Sequence, residues 1–138
     1  MTGVLIDFCV LSELVKKTPA AALVQSIARL SDQQVKFHVA ATTLESAYFF
    51  LAQAPNHKKQ WLLEKLLDQF EPALALTGII AQRAGILRGQ LIAAGVERST
   101  QDMVLAATAQ THQLIMLTRN VNAFAGCGIQ ALNPFETQ

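Results

Sequence analysis

Apolar residues along the chain come in two rhythms. Val4-Leu5-Ile6 is a short unbroken run that stops at Asp7, and from Val10 to Lys17 the spacing turns helical, with two lysines at the end where a helix C-terminus favours cations. Strand then helix is the expectation. Thr18-Pro19 has the form of a helix start, cap then proline at the first position, with Leu23, Ile27 and Leu30 as the buried stripe. Val35 to Val39 alternates as a strand does and leads into a helix opening at Thr42, which Pro55-Asn56 breaks. Trp61, Leu62, Leu66 and Phe70 recur at the spacing of a further helix. Ala73 to Leu76 reads as a short third strand, and 79–94 as a helix that Gly95 stops. Ser99-Thr100 opens a helix to about Gln113, Leu114 to Leu117 is a fourth strand, and Ile129 to Leu132 a fifth after a turn around Phe124. Strands separated by helices imply parallel pairing through right-handed crossovers, so the fold class is α/β, with helices on both faces of the sheet.

Length and composition narrow this picture. At 138 residues the chain is the size of one domain, expected to span 1–138 without disulfide or metal staples. Hydrophobic residues make up 51% and charged residues 15%, an apolar excess that leaves surface for a partner. No segment approaches the roughly 20 uninterrupted apolar residues of a membrane span. The opening lacks a cationic stretch followed by an apolar run, so a cytoplasmic location is expected. A net charge of +1 excludes a globally basic nucleic-acid binder, which makes any such site local. Cys9 and Cys127 have no metal-ligand spacing and read as two small buried thiols. The histidines lack HExxH spacing, and GxSxG, GxGxxG and Walker patterns are missing, so zinc hydrolysis, a nucleophile elbow and nucleotide-cofactor binding are poor readings.

The residues that follow the strands carry the candidate chemistry, because open α/β sheets bind ligands at the carboxyl ends of their strands. Asp7 follows strand one, Glu45 lies a helical turn after strand two, Asp102 opens the helix before strand four, and Thr118 and Asn120 follow strand four. Oxygen donors without nearby His or Cys suit Mg²⁺ or Mn²⁺. Plainer readings stand beside this one. Thr42 and Glu45 have capping-box spacing, and Asp102 sits where a helix dipole favours a carboxylate. Asp7 is harder to explain without a partner, since a carboxylate ending an apolar strand is costly to desolvate.

Three segments carry a family resemblance that spans nearly the whole chain. LIDFCVLSEL is similar to LLDTNVLSEL of the PIN-domain ribonucleases, in particular VapC-type toxins and their FitB-like relatives. ATTLESAYFF is similar to their TLAELxYG segment. QDMVLAATAQTHQLIMLTRNVNAFAGCGIQALNPF resembles DxxIAATAxxHxLxLxTRNxxDFxxxGxxxxNPF. The resemblance implies a three-layer α/β/α domain with a five-stranded parallel sheet of order 3-2-1-4-5. It further implies Mg²⁺ or Mn²⁺ held by Asp7, Glu45 and Asp102, with Thr118 and Asn120 positioning, and RNA cleavage leaving a 5′ phosphate. The implied partners are an RNA substrate, a cognate antitoxin and a second copy of the chain, with no membrane. Arg119, Arg98, Lys58 and Lys59 are the candidate RNA contacts, against the plainer reading of solvated surface charge. Departures from the pattern are Phe8 where the family has Thr or Ser, Cys9 for Asn, and Ala123 for Asp. They motivate the alternative of a PIN module that binds RNA or protein without cutting.

Overall fold

Residues 3–136 are described by the structure, a computed structural model. Met1, Thr2, Thr137 and Gln138, included in the expected domain and opening, lie outside the described residues. The chain runs β1 (Gly3–Ile6), α1 (Phe8–Leu14), α2 (Ala21–Asp32), β2 (Lys36–His38), α3 (Ala41–Gln53), α4 (His57–Leu67), α5 (Gly78–Ala93), α6 (Thr100–His112), β3 (Ile115–Leu117), a 3-10 turn (Val121–Phe124) and β4 (Ala131–Leu132). All pairings are parallel, in the order β2-β1-β3-β4. No described helix is long and apolar enough to cross a membrane.

β1 is central, and every one of its residues is buried. Its side chains alternate between two cores, which explains the unbroken apolar run. Val4 and Ile6 pack with Val10, Leu11, Leu23, Leu51 and Leu63 on the α1–α4 face. Leu5 packs with Ile80, Met103, Met116 and Phe124 on the α5–α6 face. Each such side chain is worth about 1.5–3 kcal/mol when fully buried, so register at this strand is strongly specified.

Several expectations change. The sheet has four strands rather than five: Ala73 to Leu76 contributes a single parallel bridge, Leu74 to Ala40, beside β2. Hydrogen bonds from Glu71 N to Phe37 O and Leu74 N to Val39 O, both 2.9 Å, hold the segment there. Pro72 cannot donate between them, and Thr77 already caps α5 by accepting from Ile80 N at 3.2 Å, so too few residues remain for a ladder. Helix α2 starts at Ala21, not at Thr18-Pro19, because the acceptor for its entry comes from another helix: Glu13 Oε2 takes Ala20 N–H at 2.9 Å. Helix α1 ends at Leu14 rather than Lys17, and α3 opens at Ala41 rather than Thr42, while the expected ends of α5 and α6 hold to within a residue. Ser99 Oγ accepts from Asp102 N at 3.0 Å, and Gly95, at φ +83°, ends α5 with Val96 N–H bonded back to Leu91 O.

Gly3 sits where β1 is squeezed by β2. An added Cβ would lie 3.0 Å from His38 Cδ2 and Nε2 and 3.1 Å from Leu114 Cδ2. Gly3→Ala is expected to destabilise by about 1–3 kcal/mol through overpacking. Gly85→Ala, on the open face of α5 with nothing within 4 Å, is expected to stabilise by about 0.5–1 kcal/mol. Urea unfolding midpoints of the two variants should move in opposite directions; movement in the same direction would contradict this packing.

Candidate active site

Asp7 is the first residue beyond β1, and three bonds fix it. Its N–H donates to Leu117 O at 3.0 Å, continuing the β1–β3 ladder. Its Oδ1 accepts from Phe8 N at 2.7 Å at the start of α1, and its Oδ2 accepts from the Thr118 hydroxyl at 2.7 Å. Thr118 is fully buried, and its oxygen in turn accepts from Asn120 N at 3.0 Å. The polar residue after β1 and the polar residue after β3 thus satisfy each other, which removes most of the desolvation penalty of a carboxylate at this depth.

The Cys9 thiol completes this cluster. Its Sγ is 3.8 Å from Asp7 Oδ2 and 3.9 Å from Thr118 Oγ1, and accepts from Arg119 N at 3.4 Å. Burial, with Asp7's charge adding, pushes its pKa up, so it is a neutral polar neighbour and not a nucleophile. The expectation of two small buried thiols holds for Cys127, 4.0 Å from Met103 Sδ, and fails for half-buried Cys9. Sequence spacing could not show this, since Cys9 meets residues 109 and 110 positions away.

Asp102 enters in the first turn of α6 and is half-buried. Burial pushes its carboxyl above the usual carboxylate range, and the negative charge of Asp7 pushes the same way against the Ser99 hydrogen bond and Arg98. Two carboxylates that feel each other in this way suit a cation between them. Glu45 does not join them. It is exposed on α3, and among the described residues it makes no hydrogen bond or ion pair. Its capping box is not formed either: Ala40 takes the cap position and Thr42 Oγ1 is buried without a partner. A bond from Gln101 Nε2 to Ser46 Oγ at 3.0 Å does join the first turn of α6 to the second turn of α3, next to Glu45. Among the described residues no group of three or more His, Cys, Asp or Glu side chains is arranged to hold a metal ion. Asp7 and Asp102 feel each other's charge, while among the described residues no hydrogen bond fixes Glu45 against either of them.

The basic candidates separate. Arg98 is committed to the backbone, donating to Ala123 O at 3.0 Å, Asn122 O at 3.1 Å and Glu97 O at 3.3 Å, which ties the 3-10 turn to α6. Arg119 lies 3.8 Å over the Phe135 ring and 3.9 Å from Glu13 Oε1. Both arginines thus do structural work that isolated sequence positions do not reveal. Lys58 and Lys59 are exposed on α4. Glu13, not singled out in the sequence, is a buried hub: it bonds Lys16 Nζ at 2.9 Å and Ala20 N, and these hold its carboxyl below the usual range. Its i,i+3 spacing to Lys16 was the available signal. The Phe8 ring is turned toward α3, stacked 5.3 Å from that of Phe50. Ala123, where the family pattern has Asp, packs against the core, and only its carbonyl takes part, as the Arg98 acceptor.

Thr118→Val leaves Asn120 N without its partner and Asp7 Oδ2 with the Cys9 thiol alone, and should cost about 1–3 kcal/mol, read as a lower urea midpoint; an unchanged midpoint would mean the bond is idle. Asp102 gives a pH signature. Its neutral form is favoured in the folded state, so its stabilising contribution is present at low pH and lost as pH rises from the ordinary carboxylate range through its raised pKa. Melting curves across acid pH should show that decline in the native protein without divalent cations, and Asp102→Asn should flatten it; parallel profiles would argue against the burial of this carboxyl.

No family model matches the chain. It is 29% identical to the VapC ribonuclease Y4jK of Sinorhizobium fredii, over 96% of this chain and 98% of that one. The crystal structure of FitAcB from Neisseria gonorrhoeae superposes with a TM-score of 0.82 at 26% identity, covering 97% of this chain and 99% of that one. VapBC2 from Rickettsia felis bound to a promoter DNA fragment gives a TM-score of 0.82 at 15% identity, covering 94% and 97%, a likeness of fold. The polar residues after β1 and β3 are bonded together at the switch point of a parallel sheet, and over its full length the chain is similar to proteins of the VapC and FitB type.

Proposed function

We propose that the protein is a Mg²⁺- or Mn²⁺-dependent endoribonuclease, the toxin of a VapBC-type toxin–antitoxin pair. The observation that carries this reading is the Asp7 carboxylate, anchored by Thr118 at the carboxyl end of the central strand and within electrostatic reach of half-buried Asp102. Its likeness to a protein named a VapC ribonuclease supports the activity, and its likeness to FitAB and VapBC complexes supports an antitoxin partner.

The donor set fits a hard cation: carboxylate oxygens only, with one or two sufficing where substrate phosphate and water complete the shell. Asp7 and Asp102 would hold the ion, and exposed Glu45 is free to approach it. When bound, such an ion activates water and neutralises charge on a scissile phosphate. The chain's own residues prepare the place. Thr118 fixes the rotamer of Asp7, and its bond from Asn120 N sets the backbone that carries the Asn120 side chain toward solvent at the site's edge. Lys58 and Lys59 offer cations to an RNA backbone. Tyr48 on α3, Trp61 on α4, and Ile79, Ile86 and Ile92 on α5 are exposed apolar side chains, which supports burial against an antitoxin and a second copy of the chain. We assign the protein to the cytoplasm on the same family grounds.

A second reading, a PIN module impaired in cleavage, is favoured by one observation: position 123 contributes no carboxylate and Cys9 fills the side of Asp7 facing Thr118. Calorimetric titration with Mn²⁺ and a cleavage assay on total RNA separate the two. The native protein is expected to bind Mn²⁺ and cut RNA, and an Asp7→Asn, Asp102→Asn double variant to do neither. Thr118→Val is expected to lose about 10- to 100-fold in either measure, as removal of a ligand-orienting bond does. Cleavage that persists in the double variant would exclude the site; Mn²⁺ binding without cleavage would establish the impaired module.

A further inference from the structure

Beside the carboxylates lies an aromatic platform that the family pattern does not contain. Phe8 directly follows Asp7 and donates its N–H to that carboxylate, while its ring stacks on Phe50 at 5.3 Å and 23°. Phe49 meets Phe50 edge-on at 5.1 Å and 77°. Despite this packing, Phe49 and Phe50 remain 52% and 51% exposed. The Phe8 and Phe50 rings form one wall of a groove of about 470 Å³ between α1, α3 and α4, floored by Leu11, Leu51 and Leu63. Gln53, Asn56 and Lys59 edge it, and no Asp or Glu lines it.

Deepening the ribonuclease reading and resting on it, we propose that this groove is a base-stacking subsite for an unpaired RNA nucleotide next to the scissile phosphate. Each part matches that occupant. A stacked ring pair whose outer member, Phe50, is half exposed offers π-surface that any base can meet. Asn56 spends its side-chain oxygen on Lys59 N at 2.9 Å, which leaves its amide N–H₂ to a base edge. A rim with one cation and no anion complements a phosphodiester and repels no part of it. The polypeptide link from Phe8 to Asp7 makes the platform and the carboxylate adjacent, so a base seated here leaves its own phosphate at the acidic pair. A base inside a duplex cannot reach the platform, and the substrate is therefore single-stranded at this position.

The test is fluorescence anisotropy with an end-labelled single-stranded RNA 10-mer, and with the same strand annealed to its complement, in EDTA so that no strand is cut. The proteins are native, Phe50→Ala, Phe50→Trp and Lys59→Gln, with matched melting curves; Phe50 is half exposed, so its truncation spares the core. Single strand is expected to bind at least ~10-fold more tightly than duplex, Phe50→Ala to lose ~10- to 100-fold on single strand only, and Phe50→Trp to restore it. Lys59→Gln should weaken both forms and flatten the salt dependence. Equal affinity for the two forms, or an unchanged single-strand affinity in Phe50→Ala, overturns the subsite. So does unchanged RNA binding with loss of a co-purifying protein, which gives the groove to a protein segment. The nuclease reading fails separately: Phe50-dependent binding by a protein that neither holds Mn²⁺ nor cuts RNA would leave the platform standing and remove the catalysis.

Discussion

The parallel pairing of β1 with β3 is the constraint on which everything else rests. It joins residues more than a hundred positions apart, Val4 with Ile115 and Ile6 with Leu117. It also continues one step beyond the ladder through Asp7 N–H to Leu117 O. That last step turns two strand ends into one polar unit, the Asp7 carboxylate with the Thr118 hydroxyl. Because both strands are sandwiched between apolar cores, a one-residue slip that drew Asp7 into the sheet would bury its carboxylate and turn Ile6 to the opposite core, at a cost no loop could recover. The same packing that makes the centre of the sheet stable therefore sets the aim of the candidate site.

Much of this was legible in order along the chain. An apolar run ended by Asp7, a Ser99 cap ahead of Asp102, and a second apolar run ended by Thr118 are local patterns, and the structure keeps all three. What was hidden depends on partners distant in sequence. The start of α2 moved because Glu13, seven residues earlier, supplies the acceptor that Thr18 was expected to supply. The third strand shrank to a bridge because Pro72 and the Thr77 cap leave it no length. Arg98 and Arg119 read as free cations until their acceptors, the carbonyls of the 3-10 turn and the Phe135 face, are brought in by tertiary packing. Cys9 follows the same logic, since a thiol is small and apolar in pattern and becomes part of a polar cluster only through residues 118 and 119.

Departures from local rules gather at one edge. Helix α3 opens without a side-chain cap, and the hydroxyls of Thr42 and Thr43 are buried without partners, each a cost of about 1–3 kcal/mol. Asp102 is a carboxyl held against its own ionisation. Such violations concentrate where a surface is shaped for something other than the fold's own stability, and here they surround the carboxyl ends of the strands.

The thinness of the sheet beyond β2 has a dynamic meaning. The backbone at the start of α3 joins the sheet through the three residues of β2 and the single bridge from Ala40 to Leu74, while its later turns are held by side-chain packing of Ala47 and Leu51. Asp7 and Thr118, by contrast, sit on strands covered from both sides. Local opening favours elements with few protected backbone bonds. Amides near Leu74 and Ala41 should thus exchange with solvent well before those of β1, and a brief loosening of that margin would shift exposed Glu45 while the two central residues stay in register. The acidic edge is in this sense built from a fixed half and a movable half.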